Sequence, residues 1–238
     1  MTDARASTIA DPGGAGVSRL ARPLGGVIAA LAWFALVVQY AIVLDDAIDR
    51  GRSLLTTSVR YFGFFTILTN LLIAVGLTAR VLAPRSRAGV FFARPATTAA
   101  TALYITIVAA VYTLVLRRLW DPGGWQKLAD VLLHDVVPAA YLGYWALLLP
   151  KGRLPWSASV KWLGFPAAYF IYTVVRGRWM GGYPYPFLDV ATLGYTRVLL
   201  NAGVLLLVFV LLGLAFVALD RLLWRRQTQR VAGARVLS

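Results

Sequence analysis

The chain has 238 residues, 59% of them hydrophobic, with a mean hydropathy of +0.69 and only 14% charged. That apolar share exceeds what a soluble domain carries and points to a single polytopic membrane domain. There is no cysteine, and all ten acids are aspartates beside a single histidine, which excludes disulfides, thiol chemistry and a self-contained transition-metal or bis-histidine haem site. No metal and no other cofactor is expected. The formal charge is +14, yet the basic residues flank apolar runs and form no tract that would read nucleic acid. Membrane topology and anionic lipid account for them, so the expected surroundings are a membrane, with no nucleic-acid partner.

Residues 1–23 are polar and rich in Gly, Ala and Ser, which predicts a disordered tail. The apolar run at 24–44 is longer than the core of a signal peptide and has no small-residue cleavage site at its end. It reads as a first membrane helix, closed by Asp45, Asp46 and Asp49. A second helix is predicted over 60–82, followed by a basic loop with Arg85, Arg87 and Arg94. A third covers about 97–116, and Asp121, Pro122, Gly123 and Gly124 mark the next turn. The fourth runs over about 128–149 and stops at Pro150. The fifth, about 159–175, is barely long enough to cross, and Pro166 is placed to kink it. A loop rich in Gly, Pro and aromatics fills 176–197. The sixth helix covers about 197–223, and residues 224–238 form a basic tail. No internal repeat of the transporter kind is visible.

These elements predict an all-α fold, a six-helix transmembrane bundle over residues 24–223 in the plasma membrane. Its orientation follows from the positive-inside rule. With both termini cytoplasmic, 15 of the 24 Lys and Arg lie inside, and seven of the ten Asp lie outside. Helices two and four then enter from the outer side. Thr66 lies about 9 Å below the outer end of helix two, and His134 roughly 6–10 Å below that of helix four. Tyr172, Arg176, Arg197 and Asn201 fall near the same height. Thr66 and Asn70 share a helix face at i, i+4, with Thr69 beside Asn70, and Asp130 stands at i, i+4 from His134. Ionisable groups at this depth face a protein interior or a cavity, because lipid exposure is costly. Plainer roles exist for each: a membrane-helix threonine commonly bonds its own i−4 carbonyl, Asn70 can be interhelical glue, and His134 can simply pair with Asp130 or Asp135.

Three stretches carry a resemblance: FFTILTNLL around Thr66, HDVVP from His134 to Pro138, and WMGGYPYPFLD ahead of the last helix. In order and spacing, over roughly residues 55–205, they resemble the androgen-induced and androgen-dependent six-pass membrane hydrolases, and most of all the family's bacterial six-pass branch. The resemblance implies hydrolysis of fatty acid esters of hydroxy fatty acids by a threonine nucleophile, matched by Thr66, and a histidine, matched by His134. Pro138 follows His134 by four residues where the family has five. Thr69 and Asn70 occupy the region where the family has an acid. A threonine hydroxyl needs a base to become a nucleophile. Asp130 or Asp135 is placed to orient the imidazole, and Asn70, Asn201 or Arg197 to donate to the carbonyl oxygen. The alternative is a lipid- or small-molecule-binding, transport or scaffold protein without hydrolytic activity.

Overall fold

The computed structural model describes residues 14–236, with side chains over 20–225. Every regular element among them is helical. Helix α1 (Gly14–Asp49) is followed by α2 (Leu54–Tyr61), α3 (Phe65–Leu82), the short α4 (Arg87–Ala93) and α5 (Pro95–Val111), which runs on into a π-helical turn at Tyr112–Leu116. Next come α6 (Gly124–Val131), a second π-helical turn (Leu132–Val136) and α7 (Val137–Leu148). The chain closes with α8 (Ala158–Lys161), α9 (Gly164–Met180) and α10 (Val190–Val236). Five stretches are long and apolar enough to cross a bilayer: Leu20–Asp49, Phe65–Leu82, Pro95–Leu119, Gly124–Leu148 and Val190–Arg225. The expected fifth crossing corresponds to α9. Its 17 residues span about 25 Å, short of a ~30 Å hydrocarbon core.

The bundle is organised around α1, which packs along α3, α6 and α7. Ala29, Ala32 and Ala35 lie on its buried face, and small side chains there let the helix backbones approach closely. At the foot of the site Phe65 is ringed by Tyr104, Phe165, Tyr169 and Phe209, with centroids 5.0–6.3 Å away. This aromatic knot fixes where α3 begins.

Several boundaries differ from the sequence expectation, each for a local reason. The disordered tail expected over 1–23 lies outside the described residues as far as residue 13. Residues 14–23 instead begin α1, and Arg22 donates to the Val81 carbonyl at 2.9 and 3.2 Å, tying α1 to the last turn of α3. The helix expected over 60–82 is two helices, broken at Phe62–Phe64. Pro166 produces no kink: it is the third residue of α9, where a helix has no use for the missing N–H. The basic tail continues α10 as far as Val236.

The opposite end of the bundle holds two buried charged side chains, Lys151 and Asp220. Lys151 turns back under α7, donating to the carbonyls of Leu149 (2.9 Å) and Trp145. Asp220 of α10 accepts the Gly152 N–H at 2.8 Å. Burial lowers the Lys151 ammonium to about pKa 8, against the opposing pull of Asp220. The folded pKa is thus below the unfolded one, so folding disfavours the charged form, and stability rises as pH climbs from about 8 toward about 10.4. Thermal unfolding of the detergent-solubilised protein across that window is expected to show the rise in wild type, and a flatter profile in Lys151→Met.

Candidate functional site

Thr66 owes its position to the break before it. Gly63 in that break packs against Arg176, where a Cβ would stand 2.4 Å from Nη1, and the Gly63 carbonyl accepts from the Tyr169 hydroxyl at 2.9 Å. Helix α3 then starts at Phe65, with Phe64 at its cap position supplying no side-chain acceptor. The acceptor comes from far along the chain. The Tyr185 phenol, in the loop before α10, takes the Thr66 N–H at 3.3 Å, and its oxygen lies beside the Thr66 hydroxyl. Burial raises the Tyr185 pKa, so the phenol keeps its proton. Other threonines of the bundle bond backward within their helix: Thr101 to Thr97 and Thr106 to Ala102. Thr66, in the first turn, has no helical turn behind it to bond.

His134 sits in the π-helical turn at the head of α7. There the Val137 N–H bonds to Leu132, five residues back. Pro138 has no N–H, so the Leu133 carbonyl is left without a helical partner. Asn70 takes it: its Nδ2 donates to Leu133 at 3.2 Å and to the Thr66 carbonyl at 2.9 Å. One fully buried carboxamide therefore joins the turn that carries Thr66 to the turn that carries His134.

The imidazole is held on two sides. Nδ1 lies 3.0 Å from the Asp130 carbonyl oxygen, which takes the hydrogen bond, and 3.1 Å from Asp130 Oδ1 at ion-pair distance. Nε2 is the nitrogen left for proton transfer. The Tyr112 ring stacks on His134 with centroids 3.8 Å apart and planes at 12°, and its hydroxyl donates to Asp130 Oδ2. Tyr112, like His134, belongs to a π-helical turn, so two π turns face each other at this contact. Arg117 lies over the other part of the assembly, 5.1 Å from the Tyr112 centroid and paired with Asp135.

Thr66, Tyr112, Asp130, His134 and Tyr185 all line one cavity of about 680 Å³. Its apolar lining includes Ile67, Leu116, Leu119 and Leu133, while Gln39, Arg52, Thr56 and Arg60 stand toward α1 and α2. The described residues include no group of His, Cys or Asp that could hold a metal ion.

Of the residues singled out from sequence, the structure brings together Thr66, Asn70, Asp130 and His134. Asp135 does not touch the imidazole; it faces outward to Arg117. Thr69 is fully buried with an unpartnered hydroxyl and does not line the cavity. Tyr172 is 41% exposed, Arg197 is exposed, and neither lines the cavity. Asn201 spends its amide on the Phe187 carbonyl at 2.9 Å. Tyr112 and Tyr185 escaped the sequence reading. The acceptor role of Tyr185 follows from the start of α3 at Phe65, which lies inside the single helix expected over 60–82 and so gave no sequence signal.

No known family profile, characterised protein or solved structure matches this chain.

The Asn70 bridge is testable. Asn70→Ala leaves the Leu133 carbonyl buried and unpaired, an expected loss of about 1–3 kcal/mol in a chemical or thermal unfolding series. Thr69→Val removes a hydroxyl that has no partner and is expected to be neutral or stabilising in the same series.

Proposed function

We propose that this chain is an intramembrane ester hydrolase, with Thr66 as nucleophile and His134 as base, acting on lipid-like esters. The observation that carries the reading is that both side chains line one cavity while Asp130 occupies the Nδ1 side of His134. His134 Nε2 takes the Thr66 proton as the hydroxyl oxygen attacks the ester carbonyl. The negative charge that develops on the carbonyl oxygen is stabilised by the Tyr185 phenol and by the start of α3, whose first amides concentrate positive potential. His134 returns the proton to the departing alkoxide, leaving an acyl-threonine. Water then repeats the sequence, giving up its proton through His134 and releasing the acid and Thr66.

The six-pass topology belongs to the same reading. Counting the short α9 as a crossing gives an even number of spans, with both termini cytoplasmic on the positive-inside rule. The polar layer then lies in the outer half of a plasma-membrane protein. The resemblance to six-pass threonine hydrolases noted in the sequence supports this assignment.

Ester turnover and labelling by a fluorophosphonate probe, measured on the purified protein in nanodiscs, test the chemistry. Thr66→Ala and His134→Ala are each expected to abolish both signals. Wild-type-like activity in either variant rejects the assignment. Saturable lipid binding that persists in both, with no turnover by wild type, would identify a binding or transport protein instead. Tyr185→Phe keeps the ring packing and removes the donor. It is expected to lower kcat by roughly 10²–10³-fold with KM little changed, the size seen when one oxyanion donor is removed.

A further inference from the structure

Thr66 stands at the junction of two cavities. The larger, described above, shares Thr66, Leu116 and Tyr185 with a second cavity of about 70 Å³. The small one is walled by Ile107, Val108, Leu205 and Phe209 and carries no charged group. His134 and Asp130 line only the large one. Resting on the hydrolase reading, this asymmetry assigns the two halves of the substrate. The group that His134 protonates is the leaving alcohol, so the alcohol occupies the large cavity. The acyl group, bonded to the carbonyl carbon that Thr66 attacks, is left with the small one.

We propose that the small cavity is the acyl pocket, and that the substrates are esters of short carboxylic acids on a bulky amphipathic alcohol. The step balances within these groups. The Thr66 oxygen forms a bond to the carbonyl carbon, the carbon–oxygen bond to the alcohol breaks, and the Thr66 proton leaves on the alcohol through His134. The walled part of the small cavity limits the acyl length: an apolar cavity of ~150 Å³ holds one benzene, six carbons, so about 70 Å³ accommodates about three, and a longer chain has to leave through the open side. The large cavity, with apolar walls at Ile67, Leu116 and Leu133 and with Arg60, Gln39 and the Asp46-paired Arg52 toward α1 and α2, suits an alcohol with an apolar body and a polar end. This reverses the size order that the resemblance implies, in which the acyl group is a long fatty chain.

A chain-length series decides it. The full-length protein in nanodiscs is assayed with p-nitrophenyl acetate, butyrate, octanoate and palmitate, which vary the acyl group on one alcohol. The expected kcat/KM is highest for acetate and butyrate and falls about tenfold or more at octanoate. Phe209→Ala removes a wall of the small cavity and is expected to raise octanoate over butyrate by about tenfold. Leu205→Ala enlarges the same wall at a half-buried position, and shifts the profile in the same direction if the first variant does not fold. A profile that is flat or rises to palmitate, or one that neither folded variant moves, overturns the acyl pocket while Thr66-dependent turnover keeps the hydrolase reading. Absence of Thr66-dependent turnover on every ester overturns both.

Discussion

The Asn70 carboxamide fixes the geometry on which the rest of the site depends. Two carbonyls, one on α3 and one on the turn before α7, are both within hydrogen-bonding distance of its single nitrogen. Both carbonyls meet a fully buried carboxamide, and one of them is orphaned by Pro138. In a low-dielectric interior an unpaired carbonyl is expensive, so the bridge is held strongly. Sliding either helix by one turn would break it. The relation between Thr66 and His134 is thus set by backbone satisfaction, before any contact between their own side chains is considered.

A second constraint is the mutual support of Asp130, His134 and Tyr112. A carboxylate buried to this degree requires donors. It finds the Tyr112 hydroxyl on one oxygen and the imidazole at ion-pair distance from the other. The Tyr112 ring meanwhile blocks one face of the imidazole. Both π turns serve this arrangement. Adding one residue per turn rotates the following side chains relative to a regular α-helix, and here the rotated pair meets ring to ring.

How much of this was legible in the residues depended on the kind of coordinate. Counting residues from a membrane boundary gives an expected depth, and Thr66 and His134, expected on one level, line one cavity. It gives azimuth poorly, which is why Tyr172 and Arg197, expected at that height, do not line the cavity. The break at Gly63 was hidden because the hydropathy of residues 60–82 is nearly uniform across it. Pro138 hinted at a disturbed turn, but the recipient of the freed carbonyl, Asn70, is a tertiary partner. Asp130 was separable from Asp135 only once the π turn fixed which carboxylate lies under the ring. Tyr185 is 119 residues from the amide it caps, beyond the reach of any local pattern.

The late start of α3 has a consequence for comparing chains of this type. One residue inserted between Gly63 and Phe65 would leave the hydropathy trace and helix count unaltered. If the aromatic knot around Phe65 held its place, the insertion would be absorbed in the break. If the knot yielded, Thr66 would swing by about 100° and move about 1.5 Å along the axis. Two chains with superimposable hydropathy can therefore differ in whether a hydroxyl reaches the cavity at all. The spacing from the Gly63 break to Thr66, read together with the spacing from Asn70 to that break, is a sharper criterion of kinship than the number of membrane crossings.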